Sequence, residues 1–259
     1  MNVEQILALF DQEQRRDVEF SDVRREVTPT VVRQVGLYHP ESAIIYSSLT
    51  PDNVEAAIRA EIAYFDHLGH ELEWKVYAHD TPSDLKDRLL THGFEAEEPE
   101  ALVVLDLESG PVALFQPVSH DVRRITNPDN LGDLAVVHEG VWQEDFTILH
   151  ERLAYDLQQN PEDIGVYAAY VDGLPVSSAW IYFHEGSQFA SLWGGSTLPA
   201  YRKRGLYSAL LAVRAQEAHR RGVRFLTVDA SPMSRPILQF FGFQWLTTIY
   251  PCKWQGKQR

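Results

Sequence analysis

The chain has 259 residues, of which 44% are hydrophobic and 23% charged, so it has an ordinary globular composition and can form one large domain or two small ones. Its net charge of −14 argues against nucleic-acid binding, which needs a basic surface, and is compatible with a cationic partner such as an amine. A single cysteine, no long apolar run and an acidic N-terminal segment exclude an intrachain disulfide, a membrane span and a signal peptide, so a cytoplasmic protein without membrane contact is expected.

Hydrophobic spacing in the first 110 residues predicts alternating helices and strands. Pro29 indicates that the strand around it is irregular or lies at a sheet edge, because proline cannot donate a backbone hydrogen bond. Residues 108–111 have the composition of a linker. The predicted helices cover 3–10, 54–69 and 81–92, and the predicted strands cover 25–35, 43–48, 71–79 and 101–107.

The end of the first half is similar to the end of the chain. Asp80 and Gly93 have the same spacing as Asp229 and Gly242, and each pair belongs to the order strand, aspartate, helix, Gly-Phe, strand. A diverged internal repeat is the favoured interpretation. The alternative is an unrelated α/β domain in which the similarity is coincidental.

Hydrophobic spacing in the second half predicts a strand, two helices, a three-stranded meander, and then helix, strand, helix and strand. The pair Asp172-Gly173 is a strong hairpin signal within the meander. Thr147 is predicted to cap the second of the two helices. The predicted strands cover 116–125, 166–171, 176–183, 189–197, 224–229 and 243–253, and the predicted helices cover 127–142, 147–160, 206–221 and 231–241.

A glycine-containing basic loop connects the third meander strand to the next helix. Gly194-Gly195 predicts a bulge or a close backbone approach within the strand. The loop then brings Arg202, Lys203, Arg204 and Gly205 to the start of a helix, where backbone N–H groups lack partners. An anion site that suits a diphosphate is therefore expected, and a solvated basic turn is the alternative.

The loop resembles that of the GNAT superfamily of acyl-CoA-dependent N-acyltransferases. The family pattern Gln/Arg-x-x-Gly-x-Gly/Ala appears as Arg202-Lys203-Arg204-Gly205-Leu206-Tyr207, preceded by a family-like segment from Pro199. Tyr207 departs from the pattern, which has a small residue there. The element order of residues 113–254 also resembles the family.

The resemblance implies an α/β (α+β) fold with a mixed, mostly antiparallel central sheet flanked by helices. It further implies a tandem arrangement with a degenerate GNAT-like domain at 1–110 and an acetyltransferase domain at 111–259. The first half lacks the cofactor loop, because residues 47–53 contain no Arg-x-x-Gly and carry Asp52 instead.

The family's use of acetyl-CoA as acyl donor implies roles for the loop and its strand. Backbone amides from Lys203 to Tyr207 would hold the diphosphate, and the pantetheine arm would pair with the strand end like an added strand. No metal is implied. The cofactor-binding residues implied in this way are Gly195, Ser196, Thr197, Arg202, Lys203, Arg204, Gly205, Leu206 and Tyr207.

The sequence does not identify the catalytic residues. The resemblance places a proton-donating tyrosine at Leu238, an asparagine at Ser231 and a base near Ser191, none of which fits its role. Asp229 is expected to be structural, with a role as base as the alternative, and Tyr207 is expected to pack. The histidines at 138, 150 and 184 are isolated in the sequence, without metal-ligand spacing, so solvated or core histidines are expected and metal ligands are the alternative.

The family's acceptor site implies a role for residues 141–146. Trp142 and Phe146 would form an apolar wall, and Glu144 or Asp145 would attract an ammonium group; the alternative is a helix end with solvated acids. The expected function is N-acetylation of a small-molecule or peptide amine by direct attack. A catalytically weak acyl-CoA sensor or scaffold is the alternative, and a homodimer is possible.

Overall fold

The structure is a computed structural model that describes residues 1–142 and 144–256. None of the described helices is both long enough and apolar enough to cross a membrane. The helices are α1 (Val3–Phe10), α2 (Val54–Leu68), α3 (Leu85–Thr91), α4 (Gly132–Trp142), α5 (Thr147–Gln159), α6 (Leu206–Arg220) and α7 (Arg235–Phe240). The strands are β1 (Val23–Val27), β2 (Val31–Gly36), β3 (Glu41–Ser47), β4 (Glu71–Tyr77), β5 (Glu95–Ala96), β6 (Glu100–Asp106), β7 (Asp121–Ile125), β8 (Ile164–Val171), β9 (Leu174–Phe183), β10 (Phe189–Thr197), β11 (Phe225–Ala230) and β12 (Gln244–Trp254).

The chain divides into two compact units, each of which is mixed α/β with helices against a largely antiparallel sheet. The first unit contains Met1–Val103, Asp229–Gln239 and the segment from Gln244 onward, and the second contains Val104–Val228 and Phe240–Phe243. These units group residues by compactness. The predicted division into two domains at residue 110 describes two halves related by a repeat. The compact units do not test it, so it stays a prediction.

In the first unit, β1, β2, β3, β4 and β12 are neighbours in that order. The pairs β1–β2, β2–β3 and β4–β12 are antiparallel, whereas β3 and β4 are parallel and α2 connects them. The apolar face of α2 packs on this sheet, with Ile58, Phe65 and Trp74 fully buried. The strand predicted over 25–35, with an irregularity at Pro29, is two strands in the structure, because Thr28 accepts backbone hydrogen bonds and forms a tight turn that separates β1 from β2.

In the second unit, β7, β8, β9, β10 and β11 are neighbours in that order. The first three pairs are antiparallel, and β10–β11 is parallel with α6 as the connection. The predicted hairpin is confirmed, since Asp172 and Gly173 both have positive φ between β8 and β9. Helices α4 and α5 cover a core that contains Leu134, Leu153 and Trp180.

The structure differs from several predicted helix starts and caps, and the helix predicted over 81–92 begins at Leu85. The helix predicted over 231–241 begins at Arg235, because Ser231 accepts backbone N–H groups in a turn that precedes it. Thr147 does not cap α5; the carboxylate of Asp145 accepts the backbone N–H of Thr147 instead.

The two units repeat one arrangement of strands and helices. In each, an antiparallel strand pair is followed by a parallel crossover through a helix of 15 residues, α2 in one and α6 in the other. Both crossover helices are followed by a glycine of positive φ, Gly69 and Gly222. The strand before each crossover carries a β-bulge, at Ile45 in β3 and at Gly194-Gly195 in β10. These shared irregularities support the diverged repeat.

Candidate functional site

The basic loop leaves a set of backbone N–H groups unpaired. Within the described ranges, the N–H groups from Lys203 to Tyr207 form no intramolecular hydrogen bond. Lys203 has a φ of 62° and Gly205 a φ of 79°, so the chain turns sharply before α6 begins at Leu206. Unpaired N–H groups at a helix N-terminus carry partial positive charge and bind anions.

Neighbouring groups fix the conformation of this loop. Arg202 donates from Nε to the carbonyl oxygen of Thr197 at 3.1 Å, which ties the loop back to the end of β10. The guanidinium of Arg204 lies 5.0 Å from the ring centroid of Tyr201, and His120 Nε2 lies 2.9 Å from the Arg204 carbonyl oxygen. Lys203 is exposed and adds positive charge.

The double glycine of β10 lies between two aromatic rings. The register of β9 and β10 shifts between Trp193 and Ser196, which confirms the predicted bulge. A Cβ at Gly194 would overlap the ring of Trp180, and a Cβ at Gly195 would lie 2.8 Å from Cε2 of Tyr207. Glycine is therefore required at both positions. The ring of Tyr207 packs against the bulge, as expected.

One edge of β10 is open beyond the bulge. The parallel pairing with β11 covers only Phe189–Ser191, so Gly195, Ser196 and Thr197 have no partner strand on that side within the described second unit. Its other edge is held by β9, where Ser177 donates to the carbonyl oxygen of Ser196 at 2.6 Å. An open edge of this kind can receive an extended ligand as an additional strand.

A buried arginine supports the bulge from α6, and the sequence reasoning missed it. Arg214 is 2% exposed and donates to the carbonyl oxygens of Trp180, Trp193 and Leu210 at 3.1, 3.4 and 3.0 Å. Burial lowers the pKa of Arg214 to about 10, so the side chain stays cationic at neutral pH. The available signal was a charged residue at helical spacing from Leu206 and Leu210 on the apolar face of α6.

Of the three predicted acceptor residues, Trp142 contacts β10 and Phe146 packs against α4. Trp142 donates from Nε1 to Oγ of Ser196 at 3.1 Å, and the ring of Phe146 lies 5.0 Å from that of His138. Glu144 is exposed and makes no such contact, while Asp145 caps α5. Gln143, within the same segment, lies outside the described residues.

His138 and His150, which have no metal-ligand spacing in the sequence, contact each other in the structure. Nδ1 of His138 lies 3.2 Å from Nε2 of His150, and the two rings stack 5.4 Å apart at 11°. His138 is 2% exposed, and burial together with the neighbouring imidazole lowers its pKa to about 4. Burial also lowers the pKa of His150, against the opposing effects of Glu139 and Asp145. Both rings are therefore neutral at pH 7.

His184 also has a polar neighbour in the structure. Its Nε2 lies 3.1 Å from Oγ of Ser191, which accepts a hydrogen bond from Trp193 Nε1 at 2.8 Å. Burial lowers the pKa of His184 to about 4. Ser191 therefore belongs to a buried polar network and is not a base.

The first unit has no corresponding anion site. The segment 47–53 lacks basic residues, and the N–H of Thr50 donates to the side chain of Asn53 at 2.8 Å. Arg15 instead occupies the space beside the bulge of β3, where it donates to the Ile45 carbonyl oxygen and to both oxygens of Asp80. This side chain is 1% exposed and lies 3.7 Å from the centroid of the Tyr77 ring.

Residues at the end of the repeat have structural roles. Asp229 pairs with Lys75 at 2.9 Å, as Asp80 pairs with Arg15, and this favours a structural role for both aspartates. Leu238 is fully buried among apolar residues and offers no proton. Among residues 1–142 and 144–256, no three His, Cys, Asp or Glu side chains converge to hold a metal ion.

A sequence comparison finds a family match within the second half of the chain. Residues 134–243 match the sequence model of the Acetyltransferase (GNAT) family. The matched segment contains α4 to α7, the bulged strand β10 and the whole basic loop. No match was found among curated protein sequences.

Solved structures with the same fold cover nearly the whole chain. A GCN5-related N-acetyltransferase from Kribbella flavida has a TM-score of 0.70 at 16% identity, covering 98% of this chain and 96% of its own. A functionally unknown conserved protein from Staphylococcus epidermidis has a TM-score of 0.68 at 14% identity, covering 92% and 96%. A tandem GNAT protein from the clavulanic acid biosynthesis pathway has a TM-score of 0.61 at 13% identity, covering 99% and 96%.

Proposed function

Because residues 134–243 match the sequence model of the Acetyltransferase (GNAT) family, we propose that the second half transfers the acetyl group of acetyl-CoA to a primary amine of a small molecule or peptide. The observation that carries the proposal is the unpaired set of N–H groups at the start of α6, beside the open edge of β10. The protein would act in the cytoplasm, where acetyl-CoA and free amines occur together.

The diphosphate of acetyl-CoA is proposed to lie on the amides from Lys203 to Tyr207. These amides offer several donors and the positive end of the α6 dipole to one anion. Gly205 allows the phosphates to approach the backbone closely, since it has no side chain and adopts a positive φ. Lys203 and the arginines beside it increase the local positive potential on a chain that is acidic as a whole.

The pantetheine arm is proposed to extend along the open edge of β10 from Thr197 toward Gly195. Its amides would pair with the backbone of β10 as an added strand does. A backbone N–H near the bulge would then donate to the thioester carbonyl and stabilise the oxyanion formed when the amine attacks. Arg214, which fixes the two strands at the bulge, would keep that N–H in place.

In the reaction, the lone pair of the amine attacks the thioester carbon, a C–N bond forms, and the C–S bond breaks with its electron pair on sulfur. The amine loses a proton and the thiolate gains one. Trp142 and Phe146 are proposed to form an apolar wall for the acceptor, with the exposed carboxylate of Glu144 attracting its ammonium group.

A second candidate function is acyl-CoA binding without turnover, as a sensor or scaffold. The buried leucine at position 238 favours it, because that is where the family resemblance places a proton donor. The two functions share the loop and differ only in turnover.

The test combines calorimetry with an assay of free thiol. Acetyl-CoA is titrated into the protein, and thiol release is followed with a pool of primary amines. Binding together with amine-dependent release supports acetyl transfer. Binding without release on a broad pool supports the sensor, and absence of binding contradicts both.

A further inference from the structure

Helices α4 and α5 place two imidazoles in direct contact beneath the acceptor side of the domain. His138 lies on α4 one turn before Trp142, so both side chains are on the same face of the helix. Trp142 bonds Ser196, and the ring of His138 lies 5.9 Å from that of Trp180, which covers Gly194. Trp180 therefore contacts both the bulge of β10 and the imidazole pair.

The contact between the rings makes the pair able to conduct a proton. Nδ1 of His138 and Nε2 of His150 are 3.2 Å apart, so one nitrogen donates and the other accepts. When both rings are neutral, each carries one N–H proton. If His138 is the donor, its Nε2 is free to accept and His150 Nδ1 carries a proton to give away. If His150 is the donor, these two roles are reversed.

The two tautomeric states differ by the passage of one proton through the pair. A proton that arrives at His138 Nε2 displaces the proton on Nδ1 to His150, and His150 releases one from its own Nδ1. The inner ring is buried against Phe146 and Trp180, while the outer ring is only partly buried. The inner end of the pair is therefore connected to the bulge through the ring of Trp180, and the outer end is near solvent.

We propose that His138 and His150 form a proton relay that serves acyl transfer at the bulge of β10. The inference rests on the proposed acetyltransferase function. As the C–N bond forms, the amine proton passes to His138 Nε2, the Nδ1 proton passes to His150 Nε2, and His150 gives its Nδ1 proton to solvent. The C–S bond breaks with its electron pair on sulfur.

The same pair returns a proton to the leaving thiolate. After the first passage, His138 carries a proton on Nε2, which it transfers to sulfur, while solvent returns a proton to His150 Nδ1. Both rings are then in their starting tautomers, and the net change is amine and thioester to amide and thiol. The relay thus supplies a base and an acid in a domain whose position 238 is leucine.

The electrostatic surroundings keep the relay neutral. Burial lowers the pKa of both rings, and repulsion from the neighbouring His150 lowers the pKa of His138 further. Glu139 and Asp145 act in the opposite direction on His150 alone, so the outer ring is the easier one to protonate. A relay needs neutral rings at rest, because a doubly protonated imidazole has no lone pair to accept a proton.

The test uses the full chain with acetyl-CoA and a pool of tryptamine, putrescine and a lysine-containing peptide. His138→Gln, His150→Gln and the double variant are compared with the wild type for thiol release and for CoA affinity. His67→Gln is the control, because this histidine is exposed on α2. Each relay variant is expected to lower kcat by about 100-fold, as loss of an acid–base group does, with CoA affinity changed less than about twofold and the control unchanged.

Two further readouts separate a relay from a merely structural pair. The double variant is expected to be no slower than either single variant, since the rings act as a unit. Imidazole in solution is expected to restore part of the activity of His150→Ala, because that ring is partly exposed. If His138→Gln does not fold, the relay is tested with the His150 variants alone.

The outcomes distinguish failure of the relay from failure of the proposed acetyl transfer. An active wild type with His150 variants within about twofold of its kcat overturns the relay and leaves acetyl transfer standing. Losses that multiply in the double variant also overturn it. A wild type without thiol release on any amine overturns both.

Discussion

Nε of Arg15 donates to the carbonyl oxygen of Ile45 at 2.8 Å, at the point in β3 that corresponds to the double glycine of β10. The same guanidinium forms a bidentate pair with Asp80 at 2.8 Å. In the first unit, a side chain therefore bonds the backbone beside the bulge. In the second unit, Arg214 bonds the backbone beside the bulge, and the edge of β10 beyond the bulge is open and is proposed to hold the pantetheine arm.

Breaking the Arg15–Asp80 pair is expected to destabilise the protein strongly. Arg15→Ala leaves a buried carboxylate without its cation, which costs on the order of 3–5 kcal/mol of the free energy of unfolding. Arg59→Ala is the control, because the Arg59–Glu55 pair is exposed to solvent, which screens it, and contributes little to stability. Urea unfolding of both variants checks this, and equal losses would contradict it.

Gly205→Glu is expected to abolish acetyl-CoA binding. The new side chain would fill the space before α6 with a like charge for the diphosphate, and the positive φ of this residue adds strain. Gly222→Glu is the matched control, because this glycine has a φ of 76° and open space around it at the other end of α6. Calorimetry should show no heat for the first variant and normal affinity for the second. Retained affinity in Gly205→Glu would refute the assignment of the loop.

Gly194→Ala is expected to destabilise the second unit and weaken acetyl-CoA binding. A methyl group there would overlap the ring of Trp180, so the bulge or the ring must move. Gly186→Ala is the control, because its φ of 72° is similar and it has no neighbour within 4 Å. Thermal unfolding should show the larger loss for Gly194→Ala, and similar losses would argue against a tightly packed bulge.

His184 is expected to make stability fall on acidification. Its pKa is lowered to about 4 by burial, while in the unfolded chain it is near 6.5, so the unfolded chain binds more protons between these pH values. Stability is therefore lost as the pH falls from about 6.5 toward 4. His184→Asn should lose less stability than the wild type between pH 7 and pH 5 in urea unfolding. Parallel losses would contradict a neutral, buried His184.

Leu238→Ala is expected to affect stability and not the chemical step. The side chain is fully buried, and truncation of such a leucine costs about 2–5 kcal/mol. The kcat for thiol release, measured well below the unfolding temperature, should stay within about twofold of the wild type. A selective loss of kcat in a folded variant would show that this position contributes to catalysis.

The sequence was sufficient to predict the loop and its bulge because their features are local. Glycines of positive φ, a basic run and a helix start occur within a few residues of each other, and their geometry follows from backbone sterics. The order of strands and helices followed from hydrophobic periodicity in the same way. The turn at Thr28 was missed because the strands on either side share one apolar pattern.

The features that the sequence did not reveal depend on contacts between distant segments. His138 and His150 come from two helices, and their contact follows from how α4 and α5 pack on the sheet. Arg15 reaches Ile45 and Asp80 across long stretches of chain. Hydrophobic periodicity describes which face of a helix is buried, but not which buried polar groups meet there.

The most direct test of acetyl transfer is mass spectrometry of the acceptor after incubation with acetyl-CoA carrying a deuterated acetyl group. The account predicts an amide-linked labelled acetyl group on a primary amine, formed with the wild type and not with Gly205→Glu. Intact acetyl-CoA and unmodified amines across a broad pool, with a folded wild type that binds acetyl-CoA, would contradict it.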